Sequence, residues 1–204
     1  MHLLKTFSHA CFITYSCVMF TNEELVDLLG SHRLEAYFDH SGPGPAEATQ
    51  LYKRNIKLAI ALWPSIEVVE VLIRNRLARR LFPTGFVSKQ ELERLTSGKY
   101  NTSIFSNDDL VSISEFPFGF WVYLLAPENT DTAWTPSVHK EFLPKTKRHE
   151  LHEDLSRIKS IRNKVGHHEP LWRIDLADFD QRVSRVLGTI SPHALEWHRQ
   201  ITAL

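Results

Sequence analysis

Between Leu62 and Leu77 apolar residues recur at steps of four, three, four and four, as Leu62, Ile66, Val69, Ile73 and Leu77. That is the period of a helix with one buried stripe, and it predicts helix from Ala46 to about Leu81. Pro64 lies inside this run and is expected to kink or split it. Shorter stretches carry the same period. Asn22 to Leu29 opens on a cap-like Asn followed by acids, and Leu34, Tyr37 and Phe38 continue into a second short helix. Ser41 to Pro45 (SGPGP) reads as a turn, and Phe82 to Phe86 (FPTGF) as a loop.

A helix is expected over Lys89–Leu95. Asp108 and Asp109 are expected to cap another, holding Val111 and Ile113. Phe116 to Leu125 (FPFGFWVYLL) is apolar and aromatic enough for a buried core segment, helix or strand, with Phe120 and Trp121 in the core. The stretch after it, APENTDTAWTP, reads as loop. Helices follow over about Lys147–Gly166, Leu176–Leu187 and Pro192–Thr202. No stretch alternates convincingly as a strand, so the expected fold class is all-α.

Composition adds exclusions. The 204 residues hold 24 Lys+Arg against 24 Asp+Glu, with 43% hydrophobic and 24% charged residues. That is an ordinary globular composition, not a disordered or collagenous one. Two cysteines, Cys11 and Cys17, exclude a disulfide scaffold and a four-cysteine zinc site. The first 20 residues are mildly apolar but broken by Ser8, His9, Thr14, Tyr15 and Ser16. They suit neither a signal peptide nor a spanning helix. Residues 1–20 read as an extension outside the fold and residues 21–204 as one domain, in a reducing cytoplasm and away from membranes.

Zero net charge conceals an uneven distribution. Lys53 to Arg80 holds seven basic residues against two acidic, net +5, and Lys145 to Arg173 eight against four, net +4. Gln90 to Asp131 holds two against seven, net −5. Solvated helix faces account for any one run, but together they suggest a positive face suited to a phosphate-rich ligand.

The chemistry concentrates in Asp154 to Trp172. Leu151, Leu155, Ile158 and Val165 share one helix face, and Arg162 falls near its middle. A guanidinium there requires a partner or an open wall. Either it pairs with an acid such as Glu70, or the face lines a cleft or interface. Gly166 is expected to end the helix, with Pro170 preventing its resumption. His167 and His168 follow at the end whose dipole favours cations. Histidine is the side chain that exchanges protons near neutrality. An arginine and a histidine at this spacing form an anion-stabilising and acid/base pair.

RNKVGH, Arg162 to His167, resembles the R-x4–6-H signature of HEPN domains, with a polar residue, Asn163, directly after the Arg. The longer string IRNKVGHHEPLW resembles the corresponding segment of Abi-like proteins, the abortive-infection group of the HEPN superfamily. VEVLIRNRLARRL (Val69–Leu81), with Glu70 preceding Arg74 and Asn75, is similar to that family's first core helix. FPFGFWVYLL is similar to its (L)SFGFW segment, with Trp134, Phe142 and Pro144 following in order. The resemblance spans about Glu23 to Thr189. Pro117 departs from the usual Ser or Thr, and the first 18 residues match nothing.

The resemblance implies a HEPN-like helical bundle with additional helices, pairing as a homodimer that joins two such motifs at one cleft. It implies a metal-independent endoribonuclease acting on RNA without a cofactor, in phage defence or a toxin–antitoxin setting with a possible antitoxin or regulatory partner. Arg162, His167 and Asn163 are the implied catalytic residues. His168, Glu169, Glu70, Arg74 and Asn75 are in support. Other readings compete with this one. A non-catalytic HEPN-like module binding RNA or nucleotide, or an antitoxin partner, would use the same basic faces. A helical adaptor has no need of His beside an inward Arg. A metal hydrolase would rest on His149, His152 and Glu153. Nucleophilic hydrolysis lacks a suitably placed Cys and any G-x-S-x-G motif.

Overall fold

A computed structural model describes residues 21–41, 44–96, 98, 101 and 110–202. Cys11, Cys17, Gly42 and Pro43 of the SGPGP turn, and Asp108 and Asp109 lie outside the described residues. The fold is all-α, with one two-stranded ribbon. The helices are α1 (Asn22–Leu29), α2 (Ser31–Ser41), α3 (Pro45–Leu81), α4 (Lys89–Thr96), α5 (Phe118–Tyr123), α6 (Arg148–Gly166), α7 (Leu176–Ile190) and α8 (Pro192–Thr202). Strands β1 (Phe86–Ser88) and β2 (Leu110–Ser112) pair antiparallel, with Val87 opposite Val111. The chain divides into two compact units, 1–54 and 55–204, and the boundary falls inside α3.

In the first unit α1 is capped by Thr21, not by Asn22. The Thr21 hydroxyl accepts the Glu24 N–H and the Glu24 carboxylate accepts the Thr21 N–H, a reciprocal cap of two otherwise unpaired donors. Leu34 and Tyr37 of α2 are buried, and Tyr37 meets the Tyr52 ring edge-on at 5.2 Å.

The second unit is built on the predicted stripe of α3. Leu62, Ile66, Val69, Ile73 and Leu77 are all buried in one core. Leu151, Leu155, Ile158 and Val165 of α6, and Phe179, Val183, Val186, Leu187 and Ile190 of α7, join it. Pro64 neither splits nor ends α3, which continues unbroken to Leu81. Pro64 has no N–H to offer the Ile60 carbonyl, and Ile60 lies on an exposed side, where the loss costs least.

Phe116, Phe120 and Trp121 are core, as expected, in an aromatic cluster with Phe82. Phe116 and Phe120 stack at 4.2 Å, and Trp121 meets Phe120 edge-on at 5.2 Å. Val111 and Ile113 are not helical: Val111 lies in β2 and Ile113 begins a 3-10 turn. The strands have three residues each, too short to display alternation in sequence. Ala126 to Pro136 is not plain loop but winds through a 3-10 turn, Pro127–Asn129, and a π turn, Thr130–Trp134.

An ion-pair group joins α6 to α7. Asp154, buried on the apolar side of α6, accepts from Arg182 Nη1 at 2.8 Å and from Arg185 Nε and Nη2 at 2.8 and 2.7 Å. Arg182 also holds Asp178 one turn earlier. Asp175 caps α7 by accepting from the Ala177 and Asp178 backbone.

α8 is attached through His198, which is buried and shares a 2.8 Å hydrogen bond between its Nε2 and the Ser65 hydroxyl of α3. Burial pushes the His198 imidazole below its ordinary value, with Asp180 of α7 opposing and Arg199 of α8 assisting. A folded form that binds the proton more weakly is most stable above the histidine's ordinary pKa, about 6.5, and loses that contribution as pH falls below it. Amide hydrogen exchange in α8 is therefore expected to quicken, relative to α7, as pH drops from 7.5 to 5. His198→Leu should flatten that dependence.

Candidate functional site

The end of α6 closes by a different arrangement from the one its sequence suggests. Gly166 is the last helical residue, and the left-handed residue is His168, at φ +57°. The His168 N–H donates to the Val165 carbonyl at 3.1 Å and the Glu169 N–H to the Lys164 carbonyl at 2.8 Å. This is the Schellman closure, usually built on glycine. The outer pair that often packs apolar side chains across it is ionic here, Lys164 Nζ to Glu169 Oε2 at 3.2 Å.

Arg162 pairs with Glu70. Its Nε donates to Glu70 Oε2 at 3.2 Å, with the two side chains 33% and 24% exposed. The acid singled out from sequence is therefore the partner found. Inward Arg162 is neutralised within the chain, and its place on the apolar face no longer calls for a second subunit. The guanidinium also folds along α6. Its Nη1 lies 3.6 Å from where a Cβ on Gly166 would stand, within contact of the turn that begins at His167.

His167 caps α6, its N–H donating to the Asn163 carbonyl at 2.8 Å. The side chains of Asn163, His167, His168 and Glu169 are exposed. Arg74 lies one turn beyond Glu70 on α3, and its Nε meets the Oδ1 of adjacent Asn75 at 3.5 Å, the limit of a hydrogen bond. The structure thus joins Arg162 to Glu70 and sets His167 one turn past Arg162. Arg74 and Asn75 face each other, with Asn75 exposed.

Sequence reasoning missed Asn55. This buried side chain of α3 accepts the Leu171 N–H on Oδ1 at 2.7 Å and donates from Nδ2 to the Glu169 carbonyl at 3.2 Å. It grips the backbone on both sides of Pro170, just past the histidines. The one available signal was a lone Asn four residues before Ala59 on an otherwise apolar side.

His149 and His152 of the metal reading lie near the other end of α6. His149 is exposed beside Glu150, and burial lowers the His152 pKa. Among the described residues no three of His, Cys, Asp and Glu gather closely enough to hold a metal ion. Nor is any described helix long and apolar enough to cross a membrane.

Known proteins offer no second view of this site. No protein-family model, curated protein or solved structure matches the chain.

Two outcomes follow from the geometry of the turn. Asn55→Ala leaves the Leu171 N–H and the Glu169 carbonyl without their partner, and should destabilise the protein by about 1–3 kcal/mol in denaturant titration. His168→Gly relieves the left-handed backbone and should stabilise it by about 1 kcal/mol.

Proposed function

We propose that the chain is a metal-independent endoribonuclease of HEPN type, of the Abi-like group, with Arg162 and His167 as its chemical pair. The observation that carries this is the arrangement at the end of α6. An oriented guanidinium lies against Gly166, and an exposed imidazole follows on the next residue. Glu70 engages the Nε edge of Arg162. A guanidinium is a planar fork, so its Nη1–Nη2 edge remains geometrically distinct and suits a phosphate.

In this reaction the RNA supplies its own nucleophile. The 2′-oxygen attacks the adjacent phosphorus, the bond from phosphorus to the 5′-oxygen breaks, and a 2′,3′-cyclic phosphate remains. His167 removes the 2′ proton or protonates the departing 5′-oxygen. His167 of the partner subunit takes the complementary role in a homodimer. Arg162 balances charge on the phosphoryl oxygens, and Asn163 orients His167 or a phosphate oxygen. His168 shapes the backbone, and Glu169 and Asn55 hold the turn. Phage defence, or a toxin–antitoxin pair with a neutralising partner, is the setting the resemblance supplies, with the protein acting in the cytoplasm.

One observation favours a second reading. A half-buried Arg162–Glu70 pair also serves as a purely structural tie between α3 and α6, which suits a non-catalytic RNA- or nucleotide-binding module. The two readings separate in one experiment: purified protein with total RNA in EDTA. Under the ribonuclease reading Arg162→Ala and His167→Ala each lower cleavage by about 10²–10⁴-fold while the helical circular dichroism persists. Products end in 2′,3′-cyclic phosphate, 2′-O-methyl RNA resists, and the pH–rate profile is bell-shaped. RNA binding without cleavage by the wild type selects the module. Activity lost in EDTA and restored by zinc overturns both readings.

A further inference from the structure

Charge is segregated around α6. At about 100° per residue, Arg148, His152, Lys159, Arg162 and Asn163 fall within about a third of the circumference. The acids of α6, Glu150, Glu153 and Asp154, all lie outside that arc, and Asp154 is bonded to Arg182 and Arg185 of α7. The strip runs beside α5. Arg148 Nη1 donates to the Leu125 carbonyl at 2.8 Å, and Lys159 Cδ lies 3.8 Å from where a Cβ on Gly119 would stand.

The two arginines of the strip have partners within the chain, Leu125 for Arg148 and Glu70 for Arg162. Lys159 stands between them, and among the described residues it has no hydrogen bond and no ion pair. Its stem lies over a glycine, and its ammonium is left unneutralised. That charge is felt two turns back. Burial first, then Arg148 and Lys159, lower the His152 pKa against the opposing pull of Glu128. An unneutralised ammonium one turn before the Arg162–Asn163 pair attracts phosphate. One helical turn is about 5.4 Å, and the step between successive phosphates of an extended strand is comparable.

We propose that Lys159 binds the phosphate next to the one held by Arg162, so that single-stranded RNA of at least three nucleotides lies along this strip of α6. The cleavage step rests on the ribonuclease reading, whereas the contact at Lys159 does not. A strip on one helix follows one backbone. In-line attack by a 2′-oxygen also needs a strand free to turn, which an A-form duplex is not. Lys159 touches a phosphate that does not react, so it places the strand without reading its sequence.

Two measurements on the full chain in EDTA test this. One is anisotropy of a 2′-O-methyl hexanucleotide, which binds without being cut. The other is kcat/KM for a hexanucleotide against a dinucleotide with the same cut step. Lys159→Met keeps the stem over Gly119 and removes the charge. It should weaken binding by about ten-fold and reduce the slope of log affinity against log salt by about 0.7. It should also remove most of the preference of the wild type for the longer substrate. Lys159→Arg should restore all three. Arg157→Ala, which removes a charge from the opposite side of α6, should change none. Binding indifferent to Lys159→Met while the wild type still cleaves overturns this proposal and leaves the ribonuclease reading standing. Binding that depends on Lys159 in a wild type that cleaves nothing overturns that reading and upholds the contact. Equal weakening by Arg157→Ala, or a duplex bound as tightly as the single strand, overturns the assignment to this strip.

Discussion

The candidate site depends on two polar ties between α3 and the end of α6. Glu70 holds Arg162, and fifteen residues earlier Asn55 holds the backbone at Glu169 and Leu171. Residue numbers fall along α6 and its turn as they rise along α3, so the two segments run antiparallel. Apolar packing is indifferent to small slides along a helix axis, whereas a hydrogen bond fails within about half an ångström. Leu151, Leu155, Ile158 and Val165 therefore hold α6 in the core, but Asn55 and Glu70 set its register against α3. The angle at which His167 leaves the helix follows from that register.

The ties explain why polar side chains sit on otherwise apolar faces. A partly buried guanidinium without a partner costs several kcal/mol, and supplying an acid removes most of that cost without adding much stability. Glu70 is thus better understood as orienting Arg162 than as strengthening the fold. Asp154 bears a heavier load. It is more fully buried and faces two arginines of α7, whose guanidinium pKa values are raised by bonds to Asp178 and Asp154. One end of α6 is locked by charge to α7 and the other by hydrogen bonds to α3, so the helix carries the site on a rigid support.

Much of this was legible in the sequence. The periodicity of Leu62 to Leu77 places α3, and the apolar face of Leu151 to Val165 identifies Arg162 as the residue out of place and Glu70 as a partner. Three features were not legible, each for a physical reason. β1 and β2 are too short to show a period of two. Gly166 ends the helix as expected, but the left-handed conformation that glycine tolerates best falls two residues later, on His168. Asn55 carries no periodic signal, because its task is set by a turn more than a hundred residues away. Pro64 does not split α3, because a helix packed along one long stripe gains enough from burial to tolerate one lost hydrogen bond on its wet side.

Tolerance of Pro64 depends on which side of α3 is wet. The same asymmetry brings Ser65 inward to meet His198 and leaves Ile60 and Trp63 outward. One proline thus stands where α3 turns from a protruding apolar surface into the floor of a cleft roofed by α8. A residue that kept every backbone bond, such as Ala, would suit an ordinary solvated helix better. Pro64 is tolerated because the backbone bond it forfeits lies on the exposed side of α3, away from Glu70 and its tie to Arg162.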